Sequence, residues 1–290
     1  MIQSELIEDG PFPGISAQIY SDADFQKVRE IVRRAAGISL ARSKSTFVYS
    51  RLAPLVRASD SQTFSRYITR LTLVESELRK AVNVLTVNHS FFNREKHHFQ
   101  HFVQKVRPAL LAKAKSGEPV RLWSAGCSNG EEVYTLAMWL LGASRKEADI
   151  FLNGDVRILA TDIADHVVET ATEARYPTSS MENMPADLLR LWTTEDAGQT
   201  RITEELRKLV LVRRLNLIEK WPFRRQFDVI FCRNVVIYFD EQTTTQVMKR
   251  LSQSLAAGGH LYIGHSESVG REASASLISL GETIYRKKST

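Results

Sequence analysis

Cysteine is scarce in this chain of 290 residues, and the two present, Cys127 and Cys232, cannot build a disulfide framework. Long apolar runs are also missing, since no stretch of about 18 apolar residues is present to form a membrane-spanning helix. The first residues, MIQSELIEDG, lack the apolar core of a secretory signal. We therefore expect reduced thiols in a cytoplasmic protein that does not insert into a membrane.

Several catalytic motifs are absent as well. The chain has no G-x-x-x-x-G-K-[ST] phosphate loop and no H-E-x-x-H pair, and the sequence GHSES at 264–268 lacks the final glycine of a nucleophile elbow. His97 and His101 have a spacing that could hold a metal on a helix. No cysteine or repeated carboxylate accompanies them, so we interpret them as packing or surface residues and predict no metal site.

Basic charge is concentrated near the N-terminus. Residues 21–80 contain 12 Lys and Arg against 6 Asp and Glu, which accounts for the whole net charge of +6. We predict an arm over residues 1–20 and then four short helices over 21–85, which form a small all-α domain whose first helix opens at Ser21 with a capping box. A basic domain joined to a neutral one indicates an acidic partner, although a solvated basic surface gives the same count.

From Val120 onward the pattern alternates strand and helix, as in a parallel sheet. The stretch VRLWSAGCSNGEEVYTLA at 120–137 predicts a buried strand, a turn of small residues and a helix. Only Gly126 and Gly130 are glycine, so the dinucleotide fingerprint is incomplete, and Glu131 and Glu132 at the helix start would repel a pyrophosphate. The pattern favours a cationic ligand, while an ordinary tight turn with acidic capping remains open.

Asp162 follows the second predicted strand, where a carboxylate can accept hydrogen bonds from both hydroxyls of a ribose. It lies 36 residues beyond Gly126, whereas the NAD pattern places its acid about 20 residues past the glycines. S-adenosylmethionine fits these residues better, because it combines a ribose with a cationic amino-acid tail. A helix N-cap is a second role for Asp162. Further along, we predict a strand over 227–232, a helix over 241–257 and a strand from His260.

Six motifs in order resemble the bacterial chemotaxis receptor methyltransferases, the CheR family: TVNHSFFNREKHHF, LWSAGCSNGEEVY, ILATDI, LNLIEK, FDVIFCRNVVIYFD and GHSES. The resemblance implies an α/β fold, with a Rossmann-like S-adenosylmethionine-dependent methyltransferase domain over 120–290 and a small inserted β-subdomain at about 176–212. It places a linker and a helix that contributes to the cofactor site at 86–119. It also implies methyl transfer to glutamate side chains on cytoplasmic helices of membrane chemoreceptors.

The resemblance also implies which residues of this chain form the site, because each occupies the position of a site residue in the family's motifs. The implied transfer-site residues are Arg94 and Tyr238. The implied contacts to S-adenosylmethionine, or to its product S-adenosylhomocysteine, are Asn88, Ser90, Arg94, Gly126, Glu131, Asp162, Asn216, Leu217, Arg233 and Asn234. The chain departs from the family at Ser90, often a threonine, at Asn93, often an aromatic, and at Val133, often a proline.

Other functions remain open at this point. A non-catalytic S-adenosylmethionine-binding signalling module would keep the same pocket, and a methyltransferase for another acidic partner would keep the same chemistry. A nicotinamide oxidoreductase is compatible with the fold class alone. The basic N-terminal part is the only support for methylation of nucleic acid. Because this part contains no recognised nucleic-acid-binding motif, we expect no nucleic-acid partner.

Overall fold

The computed structural model describes residues 19–289. The chain divides into two compact units: one ends at Val87 and also includes Tyr238–Asp240, and the other consists of Asn88–Ile237 and the residues from Glu241 onward. The arm predicted for residues 1–20 lies outside the described residues except for its last two. Of these, Tyr20 is fully buried, with its ring centroid 4.8 Å from that of Phe64. Tyr20 therefore belongs to the helical core.

The described part of the first unit is built from helices α1 Asp22–Ala36, α2 Ser45–Ala58, α3 Phe64–Leu73 and α4 Glu75–Leu85. The predicted capping box is present at the start of α1: the Ser21 hydroxyl accepts from the Asp24 amide at 3.1 Å, and the Asp24 carboxylate accepts from the Ser21 amide at 3.0 Å. Gly37 ends α1 in the left-handed conformation, at φ 74°.

The strands of the second unit are β1 Val120–Ala125, β2 Val156–Asp162, β3 Arg175–Pro177, β4 Thr193–Asp196, β5 Gln199–Ile202, β6 Val210–Arg214, β7 Phe227–Cys232, β8 Leu255–Ile263, β9 Leu277–Gly281 and β10 Ile284–Lys287. Seven of them form one sheet in the order β6-β2-β1-β7-β8-β10-β9. The first five in that order are parallel, and β10 is antiparallel to both its neighbours. The sheet therefore has the parallel core that the alternating pattern predicts.

The helices of this unit are α5 Lys96–His101, α6 Arg107–Lys115, α7 Glu131–Leu141, α8 Arg145–Asn153, α9 Asp165–Glu173, α10 Ala186–Trp192, α11 Glu204–Arg207, α12 Glu241–Ser254 and α13 Gly270–Ser274. Every residue of α7 except Trp139 is buried, so α7 lies inside the core. Within residues 19–289, none of the helices has the length and apolar character needed to cross a membrane.

Two element boundaries differ from the sequence-based expectation. The three-stranded antiparallel sheet β3-β5-β4 lies within the predicted insert, but β6 begins at Val210 and pairs with β2, so the last residues of 176–212 belong to the main sheet. The helix predicted over 241–257 ends at Ser254, because Leu255 already pairs with Phe227 in the main sheet. This strand pairing overrides the helical propensity of the alanines that follow.

Candidate functional site

The carboxyl ends of β1, β2 and β7 meet at one edge of the main sheet. The chain order reverses between β1 and β7, since β2 and β6 lie on one side of β1 and the later strands lie on the other. In open α/β sheets, ligands bind outside the carboxyl ends of the strands at such a switch point. The three loops that follow these strands are therefore the candidate site.

The turn after β1 is held against its neighbours by backbone hydrogen bonds. The amides of Gly126 and Cys127 both donate to the Thr161 carbonyl of β2, at 2.7 and 2.9 Å. Gly126 has φ 82°, and a Cβ there would collide with the Val235 side chain in the loop after β7. Glycine at 126 is thus required by the packing of two site loops against each other.

Glu131 begins α7 at this edge. Its side chain is buried, and Oε1 lies 3.4 Å from the Asn129 Nδ2 donor. The second oxygen, Oε2, is buried and accepts no hydrogen bond of normal geometry from residues 19–289, although the Ser90 hydroxyl lies close enough to the carboxyl to oppose the rise in its pKa. Burial raises the pKa of the Glu131 carboxyl. A buried carboxylate oxygen without a partner is costly, so its position at the ligand-binding edge favours a cationic or hydrogen-bond-donating ligand.

Asp162 ends β2, as predicted, and its carboxylate is tied to two backbone amides. Oδ2 accepts from the Ser128 amide at 3.0 Å, and Oδ1 accepts from the Ala164 amide at 3.1 Å. Burial raises the pKa of this carboxyl, while the amides of Ala164 and Ser128 oppose the shift. An ionised carboxylate has about four lone-pair sites, so the Asp162 carboxylate keeps acceptor capacity beyond these amides. The predicted ribose contact therefore remains chemically available.

The segment before α5 is fastened to the turn after β1. The Asn88 carbonyl accepts from the Ser128 hydroxyl at 3.0 Å, and the Asn88 side-chain nitrogen lies 3.2 Å from a ring nitrogen of His166. Ser128 thus contacts two of the predicted site residues, Asn88 and Asp162. Ser90 follows in the same segment and is half-buried.

The Arg94 guanidinium is partly exposed and is held by its own segment. Nη1 donates to the His89 carbonyl at 2.9 Å, and the group lies over the Phe91 ring at 5.7 Å from its centroid. The Arg94 carbonyl accepts from Nη1 of Arg233 at 2.7 Å. Arginine stacked on an aromatic ring keeps further N–H donors available for an anion, so the geometry suits recognition of a carboxylate.

Arg233 is a buried structural hub, with a side chain that is 2% exposed. Its Nε donates to Glu132 at 2.8 Å, and Glu132 also accepts from the Ser124 hydroxyl at 2.7 Å. The sequence predicts Arg233 as a cofactor contact, yet its guanidinium already connects α7 to the Arg94 segment. Its Nε and Nη1 already bind Glu132 and the Arg94 carbonyl, and the role of Arg233 as a cofactor contact stays a prediction.

The conformation of Asn93 explains why this chain has asparagine at a position that is often aromatic in the family. It is buried in the left-handed conformation, at φ 59°, which asparagine adopts more readily than a bulky aromatic residue does. Its side chain donates to the Asn183 carbonyl of the insert at 2.8 Å and accepts from Trp139 Nε1 at 3.3 Å. The amide at 93 therefore fixes the backbone beside Arg94.

Asn216 and Leu217 follow β6 and lie beside the loop after β2. The amide of Leu215 donates to the Asp162 carbonyl at 2.9 Å, which joins the two loops. Asn216 is buried and donates to Glu219 at 2.9 Å, while the Leu217 carbonyl accepts from Arg250 at 3.0 Å. Both predicted residues are thus held at the carboxyl edge of the sheet.

Glu267 is an important residue that the sequence reasoning missed. Its buried carboxylate accepts four backbone amides: Oε1 from Val235 at 2.8 Å and Val236 at 2.9 Å, and Oε2 from Asn234 at 2.9 Å and Gly264 at 2.6 Å. These bonds shape the loop after β7, where Asn234 has φ 60°. The only signal in the sequence is that this acidic residue stands inside the GHSES motif at 264–268.

Tyr238 groups with the helical unit, where its carbonyl accepts from the Ser39 amide at 2.7 Å. Its role at the transfer site stays a prediction.

The two histidines with metal-ligand spacing have other neighbours. Nδ1 of His101 lies 2.9 Å from the Tyr262 hydroxyl, and the His97 ring packs against the His98 ring, with centroids 4.1 Å apart. In the described range 19–289, no group of three or more His, Cys, Asp or Glu residues could hold a metal.

Comparisons with known proteins cover both units. Residues 23–86 match the family described as "CheR methyltransferase, all-alpha domain", and residues 88–285 match "CheR methyltransferase, SAM binding domain". "Chemotaxis protein methyltransferase 2" of Pseudomonas aeruginosa is 40% identical over 271 residues, which cover 92% of this chain and 93% of that protein. "Probable chemotaxis protein methyltransferase" of Rhizobium etli is 39% identical over 257 residues, which cover 87% of this chain and 94% of that protein.

Proposed function

This chain belongs to the CheR methyltransferase family, and from that premise we propose that it transfers a methyl group from S-adenosylmethionine to glutamate side chains of chemoreceptors. The proposed partners are the cytoplasmic helices of these receptors, which puts the enzyme in the cytoplasm. The product of the transfer is a glutamate methyl ester, and the role is adaptation in chemotaxis.

The observation that carries the cofactor assignment is the buried Oε2 of Glu131 at the carboxyl edge of the sheet, which accepts no hydrogen bond of normal geometry from residues 19–289. An ammonium group is the donor that such an oxygen lacks. Asp162 lies at the end of the neighbouring strand and keeps acceptor capacity for two ribose hydroxyls. The residues present therefore fit a nucleoside with a cationic amino-acid tail.

The chemistry asks little of the protein beyond alignment. S-adenosylmethionine, when bound, supplies a methyl group already activated on a positively charged sulfonium. A glutamate carboxylate is ionised near neutral pH, so it needs no general base. Arg94 can pair with this carboxylate through its free donors and hold one oxygen toward the methyl group. Holding the two reacting atoms in line is then the main contribution to the rate.

The direct test uses the purified protein, S-adenosylmethionine labelled in its methyl group, and membranes that contain candidate receptors. We expect label on the receptor, released as methanol by mild base because an ester is base-labile. Membranes without receptor are the control. A base-stable label would contradict glutamate as the acceptor, and tight cofactor binding without any transfer would favour a non-catalytic signalling module.

We further propose that the basic face of α1 guides the encounter with the acidic receptor. Phe25, Val28 and Val32 are fully buried, so Arg33 and Arg34, which follow Val32, lie on the exposed side of α1. The side chains of Arg33 and Arg34 are 56% and 74% exposed, and each lies near one carboxylate, at 3.4 and 2.8 Å. Such exposed ion pairs are individually weak, so these arginines still attract an acidic receptor at long range.

Reversing Arg33 and Arg34 to glutamate is expected to slow receptor methylation at limiting receptor and low salt, without changing the affinity for S-adenosylmethionine. Long-range attraction acts mainly on the encounter rate, and at physiological salt it is screened beyond about 8 Å. Methylation rates across a salt series measure the effect. The control is the same reversal at Arg157 and Arg213, which are exposed on β2 and β6. Equal losses in both double variants would show that only net charge matters.

A further inference from the structure

Tyr176 reaches from the insert to the turn of the candidate site. It lies on β3, is 3% exposed, and its hydroxyl donates to the Asn129 carbonyl at 2.8 Å. Burial raises the pKa of Tyr176 well above its usual value, so the hydroxyl stays protonated and remains a donor. A residue of the insert is therefore bound to the turn that leads into α7.

The residue after Asn129 is a glycine, and its lack of a side chain leaves room for the Tyr176 hydroxyl. Gly130 has φ 99°, and a Cβ there would lie 2.6 Å from the Tyr176 oxygen. The Gly130 carbonyl accepts from the Tyr134 amide at 3.0 Å, which forms the first turn of α7. Glu131 follows directly, so the position of Gly130 also determines where the Glu131 carboxylate lies.

The same tyrosine ring supports the segment that contains Ser90 and Arg94. It packs edge-on against Phe92, with centroids 5.0 Å apart and ring planes at 87°. The insert makes a second contact to this segment, since the Asn183 carbonyl accepts from the Asn93 side chain at 2.8 Å. The insert thus contacts two parts of the candidate site: the turn at Asn129 and Gly130, and the segment that contains Ser90 and Arg94.

We propose that Tyr176 is a positioning residue for the cofactor site, with its hydroxyl holding Asn129 and Gly130 so that the Glu131 carboxylate faces the cofactor's ammonium group. The proposal rests on the proposed function for the identity of the cofactor. It assigns to the insert a role in cofactor binding, in addition to any role in contacting the receptor.

The test replaces Tyr176 with phenylalanine, which removes one hydrogen bond and keeps the ring. We expect the dissociation constant of S-adenosylmethionine, measured by calorimetry, to rise about 3- to 10-fold, since one hydrogen bond contributes roughly this much. S-adenosylhomocysteine, which has the same amino-acid tail, should weaken equally. The KM for receptor should be unchanged, because Tyr176 is buried and exposes almost no surface that a receptor could contact.

The chain offers a matched control in Tyr134→Phe. Tyr134 is 2% exposed, and its hydroxyl also donates to a backbone carbonyl, that of Ala171, at 2.7 Å. That carbonyl belongs to α9 and not to the turn, so this variant should lose a similar thermal stability yet bind cofactor like the wild type.

Wild-type cofactor affinity in Tyr176→Phe would overturn the proposal, and so would an equal loss in Tyr134→Phe, which would indicate a general effect of weakened packing. These outcomes are independent of the proposed function. If the wild type binds S-adenosylmethionine but transfers nothing to receptor, the proposed function fails and the binding comparison still stands.

Discussion

Replacing Asp162 with alanine is expected to weaken the binding of S-adenosylmethionine by about 2–4 kcal/mol, or roughly 30- to 700-fold, because two hydrogen bonds from ribose hydroxyls to a charged acceptor are lost. The structure adds a second cause. The carboxylate also accepts the amides of Ser128 and Ala164, so its removal loosens the turn after β1. Calorimetry with S-adenosylmethionine and S-adenosylhomocysteine measures the loss.

Two further variants separate these causes. Asp162→Asn keeps the size and one oxygen acceptor, so it should bind with an affinity between those of the wild type and the alanine variant. Asp228 is the matched control, since this half-buried carboxylate also accepts a backbone amide, that of Arg121, at 2.8 Å, but near the start of β7. Asp228→Ala should lower thermal stability without a comparable loss of affinity. Unchanged affinity in Asp162→Ala would remove Asp162 from the site.

Replacing Arg94 with alanine is expected to reduce receptor methylation by roughly 10- to 150-fold, since hydrogen bonds to a charged group contribute about 1.5–3 kcal/mol. The loss should appear at saturating cofactor and exceed any loss of thermal stability. In the part of the chain that the structure describes, the side chain donates a hydrogen bond to the His89 carbonyl and lies over the Phe91 ring. Removing these partly exposed contacts should change the free energy of unfolding little.

Arg94→Lys and Arg157→Ala complete this comparison. Lysine keeps the charge but not the planar pair of donors, so Arg94→Lys should recover only part of the rate. Arg157 likewise donates Nη1 to a single backbone carbonyl, that of Val156, at 2.7 Å, but it lies near the start of β2, away from the carboxyl edge. Wild-type methylation by Arg94→Ala, or an equal loss in Arg157→Ala, would contradict the assignment of the transfer site.

Local patterns in the sequence predicted much of the framework. The capping box at Ser21, the strand–turn–helix around Gly126 and the place of Asp162 at the end of β2 all depend on neighbours within a few residues. The ordered motifs also indicated the family that the comparisons confirm. Where a long-range pairing competes with local propensity, the prediction was wrong, as at the end of α12, where Leu255 pairs with Phe227.

The roles of several site residues depend on tertiary structure. In the sequence, Arg233 and Glu131 are both charged residues within motifs. In the structure, the buried Arg233 side chain binds Glu132, whereas Oε2 of Glu131 accepts no hydrogen bond of normal geometry within residues 19–289. The difference arises because a buried charge is satisfied only by groups that folding brings beside it.

By itself the sequence determined the four helices of the first unit, the glycine turn after β1 and the acid at the end of β2, because short-range spacing encodes them. Only the tertiary structure decided that Glu267 holds the loop after β7 and that Tyr176 holds the turn before α7. In both cases the partners are backbone amides or carbonyls, which every residue carries. No side-chain pattern in the sequence can therefore reveal which of them a distant carboxylate or hydroxyl will meet.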